Sequence, residues 1–264
     1  MNIIVCVKQV PDSQDITIDP VKKTLNRSEA RAVINPPDEN ALELGLSLKE
    51  KFGAKVTVIS MGPPMAESAI RECIARGADE GILITDRAFA GADTYPTSLT
   101  LAATINKLAP YDLIICGEET TDSSTGHVGP GIAEHLNLPQ ATYIVDFKYD
   151  KKTNLCIAKR YIEGGFQLVQ FSLPAVVTTL LNMNSPRVPT LKGKLRAREE
   201  PVKVWKLTDI GLPPEWVGLK GSPTKVDKIK TEEFETRNTV YLEGTVEHIC
   251  EELVKKLRER NVID

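Results

Sequence analysis

The 264-residue chain has few aromatic residues, little net charge and no long apolar run. Aromatic side chains make up 5% of it and the formal net charge is −3, so it lacks the basic balance typical of nucleic-acid-binding proteins. No segment approaches the roughly 18 consecutive apolar residues of a membrane-spanning helix. The apolar N-terminus, MNIIVCVKQV, is short and interrupted by Lys8, which is unlike a signal peptide. We therefore expect a soluble, cytoplasmic protein without a membrane span.

Motifs for metal binding and for common catalytic mechanisms are also missing. The five cysteines are widely spaced and include no C-x-x-C pair, which argues against a disulfide framework and a zinc site and favours a reducing compartment. No G-x-x-x-x-G-K-[ST] sequence occurs, so hydrolysis of a γ-phosphate is not indicated. No serine–histidine–aspartate or paired-carboxylate arrangement can be assembled, and the sequence predicts no catalytic side chain and no metal site.

Short apolar runs alternate with amphipathic helical patterns through the first half of the chain. Buried strands are predicted at 3–10, 55–60, 81–85 and 113–116. Helices are predicted after Asp38 as N-cap, from Pro64, over 96–109 and from about Val128. The alternation predicts a doubly wound, mostly parallel α/β sheet with helices on both faces. Turn-punctuated β patterns from residue 141 onward predict antiparallel additions to this sheet.

The second half of the chain has a different character after residue 183. Residues 184–226 are rich in proline and charge and predict a long irregular arm. A last helix, about 245–260, carries an apolar stripe that suits packing on a partner subunit. We therefore divide the chain into an α/β domain, 1–183, and a loop with a C-terminal arm, 184–264.

The loop after the fourth strand has more polar residues than a turn requires. Residues 113–136 read LIICGEETTDSSTGHVGPGIAEHL, with glycines for close backbone approach, many hydroxyls, and a helix start whose free N–H groups favour phosphate. An ordinary polar loop with a capped helix is the alternative, and these residues alone leave it open. The candidate ligand contacts are Gly117, Glu118, Glu119, Thr120, Thr121, Asp122, Ser123, Ser124, Thr125, Gly126, His127 and Val128.

Other loops at the carboxyl edge of the predicted sheet could join this site, since ligands of such sheets bind beyond that edge. The acidic residues of the 117–128 loop would repel phosphate and suit ribose hydroxyls or adenine amines. Helix capping and strand-ending turns are the simpler interpretation of each further loop. The added candidates are Cys6, Lys8, Asn35, Pro36, Pro37, Asp38, Met61, Gly62, Asp93 and Thr94.

One later stretch resembles a known family signature. AKRYIEGGFQLVQFSLPAVVT, residues 158–178, is similar to the signature of electron transfer flavoprotein β subunits, with Arg160, the turn Glu163-Gly164-Gly165 and Pro174 in matching positions. Four further segments are similar to the opening strand, two binding segments and the partner-facing loop of that family. They are VCVKQVPD (5–12), INPPDENALE (34–43), VISMGPP (58–64) and MNSPRVPTL (183–191), so that the resemblance covers essentially the whole chain.

The resemblance implies a heterodimer with an α subunit that carries a mobile FAD domain. It also implies that residues 1–183 form a Rossmann-like, adenine-nucleotide-binding domain and that residues 184–264 contain a partner-recognition loop and a C-terminal arm that packs on the α subunit. Family members exchange electrons with acyl-CoA dehydrogenases or other flavin dehydrogenases, and the flavin rather than a side chain performs the chemistry. The loop 117–128, with Cys6, residues 35–38 and Met61, is implied to hold an adenine nucleotide. This ligand is AMP in ordinary members. In electron-bifurcating members it is a second FAD, which takes a hydride from NADH and divides the electrons between two acceptors, ferredoxin being one candidate.

The chain departs from the common family pattern G-[RK]-Q-A-I-D-x-D-x-x-Q in the binding loop. Gly117 and Asp122 match, whereas Glu118 replaces the basic residue and His127 stands where glutamine is expected. TGHVGPGIAE and GADT (91–94) resemble the flavin-binding branch, which favours FAD over AMP. An alternative of another class is a stand-alone nucleotide-binding or nucleotide-hydrolysing α/β protein.

The partner-facing loop, MNSPRVPTLKGKLRAR, has two interpretations. The resemblance implies that Leu191 is an apolar anchor inserted into a partner dehydrogenase, with Arg187 and Lys192 as neighbouring partner-binding residues. The alternative is a solvated basic linker. An exposed leucine surrounded by positive charge favours the first interpretation, because interface hot spots are often one buried apolar anchor.

Overall fold

The computed structural model describes residues 1–12, 17–18, 25–26, 32–225 and 239–263. The chain divides into two compact units, Met1–Val226 and Asp227–Asp264. The strands of the first unit are β1 (Asn2–Cys6), β2 (Gln9–Pro11), β3 (Thr17–Ile18), β4 (Leu25–Asn26), β5 (Ala32–Ile34), β6 (Lys55–Met61), β7 (Glu80–Ile84), β8 (Leu113–Gly117), β9 (Gln140–Asp150), β10 (Leu155–Ile162), β11 (Gly165–Ser172), β12 (Ala175–Thr179) and β13 (Val202–Trp205).

Helices of the first unit connect these strands. They are α1 (Pro36–Phe52), α2 (Glu67–Arg76), α3 (Thr94–Lys107), α4 (Val128–Leu136), α5 (Leu191–Glu199), α6 (Leu207–Ile210) and α7 (Gly218–Gly221). The described part of the second unit contains α8 (Val246–Glu259), with Thr245 as its N-cap residue. No helix in the described ranges is long and apolar enough to cross a membrane.

Nine strands form one sheet in the order β11-β10-β9-β12-β8-β1-β6-β7-β13. The strands from β9 through β13 in this order are parallel neighbours, whereas β10 pairs antiparallel with both β9 and β11. The central strands β1, β6, β8 and β12 bury nearly all of their apolar side chains, mainly Ile, Val and Leu, as expected of parallel strands covered on both faces. The predicted mostly parallel α/β sheet with antiparallel additions is confirmed.

Helices cover both faces of this sheet. Side chains alternate between the faces of each strand, so Ile3 and Val5 of β1 pack with α1 and α2, whereas Ile4 and Cys6 pack with α3 and α4. The chain runs from β1 through β6 to β7 on one side and then returns through α3 to β8 on the other side of β1. The strand order therefore reverses between β1 and β8.

Two predictions about local structure are wrong. The N-cap of α1 is Asn35, because Pro36 and Pro37 occupy the first two helical positions, where no N–H partner is needed, and Asp38 lies within the first turn. The described part of the predicted irregular arm instead contains α5, α6, α7 and β13. Pro201 immediately precedes β13, which is an edge strand of the sheet, a position where proline does not interrupt the strand ladder.

Candidate nucleotide-binding site

The loops that follow β1 and β8 meet at the carboxyl edge of the sheet, where the strand order reverses. The loop after β1 leads to α1 on one face and the loop after β8 leads to α4 on the other, because these helices belong to opposite core layers. Loops that diverge in this way leave a crevice, which is where open α/β sheets bind their ligands. Most of the predicted site residues gather at this point.

Asp38 holds the two loops together from the first turn of α1. Its side chain is buried, with the residue 5% exposed, and its two oxygens accept hydrogen bonds from the Lys8 N–H at 2.8 Å and the Gly117 N–H at 3.1 Å. Burial raises the pKa of the Asp38 carboxyl from 3.8 to about 7, although hydrogen bonds from Lys8, Asn35 and Gly117 act in the opposite direction. Asp38 therefore fixes loop backbone and lies beneath the crevice.

Asn35 fixes the next part of the loop after β8. Its buried side-chain amide donates to the Glu119 carbonyl at 2.8 Å and accepts from the Thr121 N–H at 3.1 Å. One side chain thereby satisfies both a donor and an acceptor of the loop backbone, which gives the segment 119–121 a defined position without regular secondary structure.

Lys8 and Asp122 form an ion pair across the crevice. The Lys8 Nζ donates to both carboxylate oxygens of Asp122 at 2.7 Å. Partial burial raises the pKa of Asp122, but the hydrogen bonds and charge of Lys8 outweigh it, so the pKa lies below its usual value. The negative charge at Asp122 is consequently balanced within the protein and does not face a ligand alone.

Glu118, the acidic residue at the position where the family pattern is basic, is bound to the chain that follows β12. Its N–H donates to the Thr179 carbonyl at 3.0 Å, and its Oε1 accepts from the Leu181 N–H at 3.1 Å. Desolvation and the neighbouring Glu119 raise the pKa of Glu118, while the Leu181 N–H opposes this. The side chain thus has a structural partner that the sequence did not reveal.

Glycine is required where the loop after β8 begins. A Cβ atom on Gly117 would lie 2.2 Å from Asp38 Oδ1 and 2.8 Å from Pro37 Cβ, distances that real Cβ atoms do not tolerate. A Cβ atom on Gly129 would lie 2.4 Å from the Thr178 Cγ2, so α4 approaches β12 closely only because residue 129 has no side chain. Both glycines serve close packing around the crevice.

Polar groups at the outer side of the loop are free to meet a ligand. Thr121, Ser123, Ser124, Thr125 and His127 are exposed, although the Ser123 hydroxyl lies 2.7 Å from that of Thr120 and the Ser124 hydroxyl donates to the Thr120 carbonyl. Helix α4 begins directly afterwards, and the first N–H groups of any helix lack partners within it. Hydroxyls next to a helix N-terminus fit a phosphate group.

The remaining predicted site residues lie along the carboxyl edge of the sheet, on either side of the loop after β8 or farther away. Cys6 ends β1 and is buried beside Cys116, whose thiol interaction, together with burial, raises the Cys6 pKa. Met61 ends the neighbouring strand β6, and the Gly62 N–H donates to the Ile84 carbonyl. Asp93 and Thr94 start α3, beyond β7.

Asp93 already has protein partners for its carboxylate. Oδ1 accepts from the Tyr95 N–H at 2.9 Å as an N-cap, and Oδ2 accepts from the Thr224 hydroxyl at 2.7 Å and its N–H at 3.0 Å. The role of Asp93 and Thr94 in ligand binding stays a prediction. Among the described residues, no group of three or more His, Cys, Asp or Glu side chains could hold a metal ion.

Comparison with known proteins decides the family. A sequence model of the electron transfer flavoprotein domain matches residues 22–210. The chain belongs to the electron transfer flavoprotein family. The electron transfer flavoprotein subunit beta of Clostridium acetobutylicum is 46% identical over 263 residues, covering 100% of both chains. The caffeyl-CoA reductase-Etf complex subunit CarD of Acetobacterium woodii is 41% identical over 264 residues, again covering 100% of both. Protein FixA of Azotobacter vinelandii is 47% identical over 236 residues, covering 87% of this chain and 83% of the relative.

The predicted resemblance to electron transfer flavoprotein β subunits is therefore confirmed. Members of this family transfer electrons in association with a flavin, and a β subunit implies an α subunit and redox partners.

Sequence reasoning missed one contributor to the β-subunit site, Thr179 at the carboxyl end of β12. Its buried hydroxyl lies 3.1 Å from the Pro37 carbonyl and 3.3 Å from the Cys116 carbonyl, and so connects α1 with β8. Two hydroxyls ending an otherwise apolar strand, in the run AVVTT, were the available signal. Thr178 is the other, and it accepts from the Tyr143 N–H at 2.9 Å.

The segment that the sequence predicts to face a partner follows β12. Leu191 is the first residue of α5 and is 76% exposed, and Thr190 caps this helix by accepting from the Gly193 N–H at 3.0 Å. Lys192 is exposed next to it. Arg187 forms ion pairs with Glu43 at 2.8 Å and Glu50 at 2.5 Å, both on α1.

Proposed function

We propose that this β subunit combines with an electron transfer flavoprotein α subunit to carry electrons between flavin dehydrogenases and their acceptors, and that it binds FAD at the crevice between the β1 and β8 loops. The observation that carries the proposal is the loop 117–128 itself, anchored by Asp38 and Asn35 and presenting hydroxyls beside the start of α4. Such a loop suits the pyrophosphate and ribose of a dinucleotide.

The acidic residues of the loop are compatible with an anionic ligand. Glu118 is bound to the Leu181 N–H and Asp122 is paired with Lys8, so two of the three carboxylates have partners within the protein. Phosphate would be held by Ser123, Ser124 or Thr125 together with the N–H groups at the start of α4. FAD, when bound, supplies the redox chemistry, while this chain holds and orients it.

The same proposal extends to electron bifurcation. NADH would be the electron donor, with an acyl-CoA dehydrogenase-type flavoprotein and ferredoxin as the two acceptors, in the cytoplasm. The names of two relatives support an acyl-CoA partner: the caffeyl-CoA reductase-Etf complex subunit CarD and the acryloyl-CoA reductase electron transfer subunit gamma of Anaerotignum propionicum, which is 41% identical over 271 residues. The contacts for phosphate and ribose are common to FAD and AMP, and AMP is accordingly the second candidate ligand.

Nucleotide content separates these ligands. The chain would be co-expressed with its α subunit, the purified complex denatured, and released FAD and AMP quantified by chromatography. Two FAD per heterodimer is the expected result and leads to an NADH titration, in which bleaching of both flavins supports bifurcation. One FAD and one AMP would refute FAD binding by the β subunit and leave an ordinary electron carrier. A stable monomer that hydrolyses ATP would refute membership of a carrier complex.

Partner contacts are proposed for residues 184–264. Leu191 would anchor the dehydrogenase with Lys192 beside it, and α8 would pack on the α subunit through its apolar stripe. Replacement of Leu253 of that stripe by Arg is expected to abolish co-purification with the α subunit, whereas Glu251→Gln on the same helix is expected to leave it intact. Co-purification of the Leu253 variant at wild-type yield would contradict the role of α8.

A further inference from the structure

The segment between β12 and α5 is attached to the rest of the first unit at three places before it reaches Leu191. The Leu181 N–H donates to Glu118. Asn184 and Asn40 exchange three hydrogen bonds of 2.9–3.1 Å through their side chains and carbonyl groups. Arg187 provides the third attachment, on α1. We call residues 184–191 the docking segment.

Arg187 makes the densest of these attachments. Its N–H and Nε donate to one oxygen of Glu43 at 3.0 and 2.9 Å, and its Nη2 donates to the other at 2.8 Å. Its Nη1 and Nη2 also reach the two oxygens of Glu50 at 2.5 and 3.3 Å. The side chains of Arg187 and Glu43 are 31% and 12% exposed, so this is a partly buried, bidentate arrangement of the stronger kind.

The guanidinium therefore has carboxylates of its own chain on both of its edges. Two apolar side chains that follow Arg187 in the docking segment are largely exposed to solvent. Val188 is 84% exposed and Leu191 is 76% exposed. Because Arg187 fixes the backbone that carries Val188 and Leu191, these two side chains form a preorganised contact surface. Little conformational freedom then remains to be lost on binding.

We infer that Arg187 is a positioning residue of the partner dehydrogenase interface: it clamps the docking segment to Glu43 and Glu50 of α1 and thereby presents Val188 and Leu191. This inference rests on the proposed docking role of Leu191. It assigns to Arg187 a function within the β subunit in place of direct contact with the partner, and it makes Glu43 and Glu50 contributors to docking although they lie on a different element.

A double-mutant comparison distinguishes positioning from direct contact. Heterodimers carrying Arg187→Ala, Glu43→Ala, Leu191→Ala, or Arg187→Ala with Leu191→Ala would be assayed for electron transfer with the acyl-CoA dehydrogenase that the wild type reduces fastest in a panel of purified enzymes. Leu191→Ala is expected to raise KM roughly tenfold, as for loss of an interface anchor. Each clamp variant is expected to raise KM roughly three- to tenfold with kcat unchanged.

The combined variant decides the mechanism. If Arg187 acts only by placing Leu191 and Val188, the double variant should be within about twofold of Leu191→Ala alone, because coupled residues are not additive. Multiplied effects in the double variant, or a normal KM for Glu43→Ala, would overturn the inference and indicate direct contact by Arg187. An unchanged KM for Leu191→Ala would instead refute the proposed docking function.

Hydrogen exchange gives a readout without any partner. The amides of residues 184, 185, 187, 188 and 190 should exchange faster in the Arg187 and Glu43 variants and at the wild-type rate in Leu191→Ala. The matched control is Lys55→Ala, which removes an ion pair with Glu80 that includes neither the docking segment nor Glu43 and Glu50. Wild-type exchange of the docking segment in Arg187→Ala would overturn the inference even if KM changed.

Discussion

Replacement of Gly117 by Ala tests whether the loop after β8 depends on close approach to α1. The new Cβ would lie 2.2 Å from Asp38 Oδ1, 2.8 Å from Pro37 Cβ and 2.9 Å from the Asp38 nitrogen. Two of these contacts involve backbone or a proline ring, which cannot rotate away, so the strand end and the first turn of α1 must separate. The hydrogen bond from the Gly117 N–H to Asp38 would then be lost.

The expected destabilisation follows from these contacts. Overpacking of a tight site costs about 1–3 kcal/mol. Loss of a hydrogen bond to a carboxylate costs about 1.5–3 kcal/mol. Alanine recovers up to about 1 kcal/mol by restricting the unfolded chain. The free energy of unfolding should therefore fall by about 2–5 kcal/mol, a large part of the roughly 5–15 kcal/mol that stabilises a typical domain.

Urea unfolding followed by circular dichroism measures this difference. Gly165→Ala is the matched control, because nothing lies within 4 Å of its new Cβ, and its effect should stay within about 0.5 kcal/mol. Nucleotide retained by the Gly117 variant after purification should also fall. Equal stability of the two variants would refute the argument that Gly117 is required by the Asp38 contact.

Three further changes test the anchors of the loop. The pKa of Asp38 is about 7 when folded and 3.8 when unfolded, so the folded protein keeps a proton that the unfolded chain loses, and stability should fall by about 4 kcal/mol as pH rises from about 4 to 7. Asp38→Asn should lack this contribution to the pH profile of urea unfolding; identical slopes would contradict it. Asn35→Ala should lower the free energy of unfolding by about 2–4 kcal/mol, since it leaves two loop backbone groups unpaired. A decrease of less than about 1 kcal/mol in urea unfolding would contradict this expectation. Glu118→Ala should accelerate hydrogen exchange of the Leu181 amide roughly tenfold, because that amide loses its acceptor. An unchanged exchange rate would contradict this prediction.

Much of the fold could be predicted because it depends on local patterns. The apolar runs at 55–60, 81–85 and 113–116 coincide with β6, β7 and β8 to within one residue, and Val128 starts α4 as predicted. Strand β13 could not be predicted in the same way. It has four residues, follows a proline, and forms because β7 offers an unpaired edge, which is a property of the assembled sheet.

The candidate site was predictable by location but not by the function of each side chain. Glycine and hydroxyl residues after a buried strand indicate a ligand loop, since that chemistry is local. Glu118 and Leu181 are 63 residues apart, and Arg187 and Glu43 are 144 apart, so their pairing depends on how the sheet brings β8, β12 and α1 together. Asp38 was predicted to be an N-cap, whereas it lies within the first turn of α1 and accepts hydrogen bonds from loop backbone. Its contact with a ligand stays a prediction.

The contacts that α1 makes with the docking segment have a consequence for chimeric proteins. Asn40, Glu43 and Glu50 are contributed by a helix that precedes the docking segment by more than 130 residues. A loop transplanted from a relative to change partner preference would therefore arrive without its supports unless these three helix positions are exchanged with it. The transferable unit of partner specificity is a discontinuous one, a helix face together with a loop.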